Sequence, residues 1–238
     1  MIIDNDMHKI DDQLAKVTAR IHQAVTAAGR NPQTVQLIAV SKTQTAAAVA
    51  EAYAWGQRAF GENYLQEALD KQIQLADLKD IEWHFIGPIQ SNKTRLIAAH
   101  FSWVHSVDRL KIAQRLSEQR PQELPPLNIC VQVNIDDETT KSGVNLTELP
   151  VLVAAISQLP RLRLRGLMAI PAASNNPAQQ RAAFAKLRSA LESLNLQGYG
   201  LDCLSMGMSG DMETAIAEGA TFVRVGTDIF GARARSAQ

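Results

Sequence analysis

Eight short apolar runs punctuate the chain, and every one but the last gives way to a clear helical pattern. The runs fall at 36–42, 58–63, 81–88, 101–107, 127–133, 162–170, 201–206 and 221–225. Strand–helix alternation specifies a parallel sheet, because parallel neighbours need a crossover long enough to hold a helix. Eight such units in 238 residues point to a closed (β/α)8 barrel, an α/β fold whose sheet has no edge. An open doubly wound sheet is the alternative. With 46% hydrophobic residues the chain can fill one large core, so 1–238 reads as a single barrel domain.

An extra N-terminal helix precedes the first unit. Leu14, Val17, Ile21 and Val25 recur at helical spacing, and Gly29 is placed as its C-terminal cap. Thr45 is placed to cap the next helix, which stops at Gly56. A helix over 64–78 has Leu65, Leu69, Ile73 and Leu75 as its apolar positions. Ser91 or Asn92 is the expected cap of the following helix, and Asp108 of the one after that. Pro150 suits the first turn of a helix within 146–159. Further helices are expected over 179–194 and 211–218, and a basic polar tail follows Gly231.

Charge narrows the partners. Lys+Arg and Asp+Glu each number 24, so no net field favours nucleic acid or an anionic membrane. The first residues are acidic and polar without an apolar leader, and no apolar stretch is long enough to span a bilayer. A cytoplasmic protein, expected to be monomeric, follows from this. Cys130 and Cys203 sit in apolar runs without metal-ligand spacing. They read as buried thiols in a reducing compartment, and no metal site is expected.

A barrel carries its site at the carboxyl ends of its strands. Those exits hold Lys42, Asn63, His84 with Gly87, Ser106, Asn134, Met168, Ser205 to Ser209, and Arg224 to Thr227. The first strand reads as a fully buried run ending in Lys42, whose partly desolvated amine would be a usable nucleophile. A lysine that snorkels to solvent or pairs with a carboxylate is the plainer alternative. Ser205-Met206-Gly207-Met208-Ser209-Gly210 and Val225-Gly226-Thr227 follow strands seven and eight, where barrels often bind phosphate on backbone amides. Asp211 runs against this if its carboxylate turns inward, and caps a helix if it does not. An amine facing a phosphate cup suits pyridoxal 5′-phosphate, held as a Schiff base on Lys42. Arg224, a donor-only cation, would then meet the pyridine nitrogen and keep it unprotonated. A salt bridge at the barrel rim is its other reading.

The chain resembles the YggS/PROSC family of pyridoxal-phosphate-binding proteins, the pyridoxal phosphate homeostasis proteins. The matching segments are Leu37-Ile38-Ala39-Val40-Ser41-Lys42, Phe60-Gly61-Glu62-Asn63-Tyr64, Trp83 through Lys93, Lys141-Ser142-Gly143, Arg165-Gly166-Leu167-Met168, Leu204 through Ser209, and Val223 through Gly231. They run in order along almost the whole chain. The resemblance implies a fold type III barrel like the N-terminal domain of alanine racemase, with pyridoxal 5′-phosphate on Lys42. It implies phosphate contacts from Ser209, Gly226 and Thr227, with Arg224 facing the pyridine nitrogen and Asn63 and Met208 nearby. It further implies a cofactor carrier in vitamin B6 and amino-acid homeostasis, without established catalysis. Apo forms of pyridoxal-phosphate enzymes would be the recipients.

Racemases of this fold add a β domain and a second subunit that supply a tyrosine opposite the lysine. This chain ends soon after strand eight, and of Tyr53, Tyr64 and Tyr199 only Tyr64 lies near a strand exit. Two-base racemisation therefore has no evident route. His84 is the other candidate base, a hydrogen-bonded core histidine being the plainer reading. A weak racemase or transaminase, and an aldolase-like barrel using Lys42 on a phosphosugar, are the competing functions. Lys141, in the 136–143 loop, is a candidate lid or second cofactor-holding residue. The basic clusters around Lys93 and Arg163 read as solvated faces or phosphate-rim contacts.

Overall fold

The computed structural model describes residues 10–138 and 140–231; the polar residues 1–9 and the basic tail after Gly231 lie outside them. Its eight strands are β1 (Gln36–Val40), β2 (Ala59–Glu62), β3 (Glu82–Phe85), β4 (Trp103–Val107), β5 (Leu127–Gln132), β6 (Leu162–Met168), β7 (Cys203–Ser205) and β8 (Phe222–Val225). Each pairs in parallel with the next and β8 returns to β1, closing the barrel. The helices are α1 (Ile10–Ala27), α2 (Ala46–Trp55), α3 (Leu65–Gln74), α4 (Thr94–His100), α5 (Leu110–Gln119), α6 (Leu149–Ile156), α7 (Pro177–Leu196), α8 (Met212–Ala217) and α9 (Thr227–Phe230). The (β/α)8 barrel with an extra N-terminal helix is thus the fold.

Period-two alternation divides each strand between two cores. Ile38, Ala59, Trp103, Cys130, Met168, Cys203 and Phe222 form the smaller buried cluster inside the barrel. A larger cluster packs strands against helices and takes in Leu14, Val17, Ile21 and Val25 of α1. Gly29, at φ 65°, turns the chain after α1, and the Arg30 N–H closes back onto Val25 O at 3.0 Å. Thr45 Oγ1 accepts from Ala48 N at 3.2 Å, so the expected cap is in place.

Several local expectations change. β1 is not buried throughout: Gln36 is exposed and Leu37 half-buried, and the strand ends at Val40, so Lys42 stands in the loop beyond it. α3 is shorter than its apolar pattern implies. It buries Ala68 and Lys71, while Ile73 is 75% exposed. Asp108 does not cap α5 but pairs with Arg109 at 2.7 Å. Neither Ser91 nor Asn92 caps α4 with its side chain; a short 3-10 turn over Ser91–Lys93 leads in, and Thr94 Oγ1 donates to Ser91 O at 2.9 Å. The last strand does have a helix, α9, too short for a periodic pattern to reveal.

Gly166 on β6 sits level with Cys130 on β5 and Cys203 on β7. A Cβ there would lie 1.8 Å from the Cys203 carbonyl oxygen. Gly166→Ala is expected to cost about 1–3 kcal/mol through forced backbone displacement. A lower denaturation midpoint at unchanged slope would register it.

Candidate functional site

The exits of β1, β2, β7 and β8 enclose a cavity of about 390 Å³. Lys42, Asn63, Met208, Ser209, Arg224, Gly226 and Thr227 all line it, so the seven residues expected around the cofactor meet at one place. Val40, Ile86 and Ile170 supply apolar walls, and Thr43, Gln44, Gly210 and Gly231 complete the lining. Val40 and Ile86 were not anticipated, although period-two spacing from Lys42 and from His84 carries the signal. Lys42 is half-buried. Met208 and Ile170, at 40% and 41% exposure, stand at the mouth.

The two glycine-bearing turns form one side of the cavity. Asp211 does not cap α8; its Oδ1 accepts from Met208 N at 2.6 Å and closes the turn after β7. Burial holds this carboxyl above the usual range, opposed by the Met208 N–H and the Arg224 charge. The N–H groups of Ser209 and Gly210 find no acceptor among the described residues. The first N–H groups of α9 likewise have no partner inside that helix. A Cβ on Gly226 would lie 3.0 Å from Val40 O, so a larger residue here would crowd β1. Arg20 of α1, unmarked by any motif, ties the turns together. It donates to Ser209 O at 3.0 Å, to Asp228 Oδ2 at 2.6 Å and to Glu213 Oε1 at 2.8 Å.

Arg224 forms part of the floor. It is 4% exposed and donates through Nη1 to Ser205 Oγ at 2.7 Å and through Nη2 to Ala169 O at 3.0 Å. Burial lowers its pKa to about 10, against the attraction of Asp211. The guanidinium therefore stays charged at neutral pH. Beneath it, Ser205 Oγ meets His105 Nδ1 at 2.8 Å, His105 Nε2 meets His84 Nδ1 at 2.9 Å, and His84 Nε2 meets Glu82 Oε1 at 2.8 Å. His84 lies off the cavity, fully buried beside Trp103 and Phe222. The hydrogen-bonded core reading of His84 is the one the geometry supports.

Beside Lys42 lies a second buried network. Lys71 Nζ donates to Ser41 O at 2.6 Å, Glu62 Oε1 at 2.7 Å and Glu67 Oε1 at 2.6 Å. Glu67 Oε1 also accepts from Thr43 N at 2.5 Å, and Thr43 adopts φ 64°. The backbone is thus held on both sides of Lys42. The other strand-exit residues serve structure: Ser106 Oγ donates to Gly87 O at 2.6 Å, and Asn134 brackets the Glu138 backbone. Lys141 pairs with Asp136 and Glu138 and does not line the cavity. Tyr64 lines a separate groove that shares Asn63 with the cavity.

Residues 13–234 match the family described as alanine racemase, N-terminal domain. A pyridoxal phosphate homeostasis protein of Pseudomonas aeruginosa is 66% identical over 227 residues, covering 95% of this chain and 97% of that one. The chain belongs to the pyridoxal phosphate homeostasis protein family. The member from Escherichia coli K12 is 54% identical over 229 residues, with 95% and 98% covered. Among solved structures, PipY of Synechococcus elongatus with pyridoxal phosphate bound is 41% identical, with a TM-score of 0.82 over 93% of this chain and all of that one. Membership of the homeostasis-protein family agrees with the alanine-racemase-like barrel.

Proposed function

We propose that this chain holds pyridoxal 5′-phosphate reversibly and regulates its intracellular level and amino-acid balance, with 1–238 as one cofactor-binding barrel domain. The observation that carries the reading is the convergence of a lysine amine, a buried arginine and two glycine-bearing turns on one cavity. The residues fit the group. Asn63 Oδ1 is buried without a partner among the described residues, the Ser209 and Gly210 amides point to an anion, and Gly226 keeps the wall by β1 bare. Lys42 would bind the aldehyde carbon, Ser209, Gly226 and Thr227 the phosphate, and Arg224 the ring nitrogen, with Asn63 and Met208 beside the ring.

When bound, the cofactor supplies an electrophilic aldehyde on an electron-withdrawing ring. Arg224 keeps its protons and accepts none, so a ring nitrogen facing it stays unprotonated and the ring's electron-withdrawing power stays low. Val40, Ile86 and Ile170 would supply the apolar walls for the ring, while the exposed Met208 and Ile170 leave the mouth open to exchange. Among the described lining residues only Lys42 and Arg224 are titratable, which gives proton transfer one amine and no opposing base. That favours a carrier over an enzyme. On this reading the protein acts in the cytoplasm as a monomer, passing cofactor to apo-enzymes, with neither nucleic acid nor membrane as partner. No helix among the described residues is long and apolar enough to cross a membrane.

The test is a visible absorption spectrum before and after borohydride, beside Lys42→Ala. A Schiff-base band that borohydride bleaches while fixing the cofactor to Lys42, absent from the variant, is expected. No band even after cofactor is added overturns the reading. Incubation with amino acids is expected to give no turnover; steady product formation would make the protein an enzyme instead.

A further inference from the structure

We propose that Ser205, His105 and His84 are positioning residues for Arg224, and that their one-way hydrogen-bond chain sets a preference for a ligand ring bearing a nitrogen acceptor. The inference deepens, and rests on, the reading of the cavity as a pyridoxal 5′-phosphate site.

The direction of the chain follows from donor and acceptor chemistry. Arg224 only donates, so Ser205 Oγ must accept from it at 2.7 Å. The single Ser205 hydroxyl proton then goes to His105 Nδ1 at 2.8 Å. His105 must carry its proton on Nε2 and give it to His84 Nδ1 at 2.9 Å. His84 in turn carries its proton on Nε2 and gives it to Glu82 Oε1 at 2.8 Å. A proton added to His84 would set its Nδ1–H against the Nε2–H of His105, so this direction of the chain holds with both imidazoles neutral. Burial lowers both of their pKa values, and the His84 hydrogen bond holds Glu82 below the usual carboxylate range. Ser205, His105 and His84 are fully buried; the chain meets solvent only at Glu82, on the opposite rim of the barrel.

This arrangement commits two Arg224 donors, to Ser205 Oγ and Ala169 O. The remaining N–H groups are left for the cavity that Arg224 lines. A ring without nitrogen leaves them unpaired, and a site built to donate a hydrogen bond rejects such a ligand. Rejection requires that the guanidinium be unable to swing away. Removing Ser205 Oγ restores that freedom, with only Ala169 O left to hold it.

The experiment compares the dissociation constants of pyridoxal 5′-phosphate and its carbocyclic analogue, with CH in place of the ring nitrogen. It uses the wild-type chain, Ser205→Ala, and Ser205→Thr as the conservative rescue. Comparing ratios with wild type cancels the difference in aldehyde reactivity between the rings. Ser205→Ala is expected to lower the preference for the nitrogen ring about tenfold, and Ser205→Thr to restore it. Equal weakening of both ligands, with the ratio preserved, would reduce the chain to a structural role and overturn the inference. Nitrogen-15 spectra of the ligand-free wild type provide an arm independent of any ligand. Protonated Nε2 and bare Nδ1 on both histidines are expected, and either opposite tautomer overturns the chain. Wild type that binds neither ring overturns the cofactor reading and this inference together, even where the tautomers are as expected.

Discussion

Replacing Lys71 by methionine is expected to lower the unfolding free energy by about 3–5 kcal/mol. The lysine is 3% exposed and Glu62 fully buried. Glu62 Oε1 takes hydrogen bonds from Lys71 Nζ and from Ser41 Oγ at 2.6 Å, while Oε2 has no partner among the described residues. Burial already holds the Glu62 carboxyl above its usual range, with the Lys71 charge opposing that. Methionine fills the space of the lysine stem but leaves a buried carboxylate uncompensated, which costs more than the pair is worth. Glu62 then gains a proton more readily. A carboxyl raised in the fold contributes stability present below the ordinary carboxyl range and lost as pH rises through the folded value. The deficit of Lys71→Met should therefore be larger near about pH 8 than near about pH 6. Adding Glu62→Gln should recover about 1–2 kcal/mol by removing the stranded charge. Urea titrations of the single and double variants provide the check; a single-variant loss under about 1 kcal/mol would show that the pair holds nothing. Since Lys71 and Glu67 also grip the backbone around Lys42, slower cofactor binding is expected alongside.

Acidification from about pH 7.5 to about pH 5.5 is expected to draw up to about 2–3 kcal/mol from the fold through His84 and His105. Both are fully buried. Burial lowers both pKa values, and for His105 a protonated His84 and the Arg224 charge would lower it further. Between the folded value and the ordinary value of 6.5 the unfolded chain binds protons that the fold does not. Stability therefore rises with pH across that window, at up to about 1.4 kcal/mol per pH unit for each histidine, and the loss is complete below it. Glu62 and Asp211, both raised by burial, act with the opposite sign and offset part of the loss. The His105 share is isolated by comparing wild type with His105→Gln, which has nothing to charge at that position. The variant should be less stable at neutral pH and show a shallower pH dependence. Parallel curves for the two chains would sink the account.

Local patterns were legible and distant pairings were not. Thr45, Gly56 and Gly29 act through residues within a turn of themselves, so their roles could be read directly. The convergence of Lys42, Asn63, Ser209, Arg224 and Thr227 was legible for a different reason: a closed parallel barrel brings all strand exits to one rim. Asp211 was half-legible, since it sits at the start of α8 as expected but gives its carboxylate to Met208 N. Lys71 was missed because a lysine inside a helix reads as solvent-facing. Glu67 is one helical turn away, but only the approach of β2 and the loop after β1 supplies the Glu62 and Ser41 oxygens that make its burial tolerable.

By itself, then, the order of residues determined the eight strands, the helices after the first seven, the helix that precedes them and the set of side chains at the barrel mouth. These depend on short-range periodicity and turn chemistry. The tertiary structure alone decided which polar groups are buried and what satisfies them. Glu82, His84, His105, Ser205 and Arg224 lie on four different strands, and Arg20 reaches Ser209 across 189 residues of chain. A hydrogen bond acts over about 3 Å, so partners this far apart in sequence leave no periodic trace. They become partners only when closing the barrel removes water from between them.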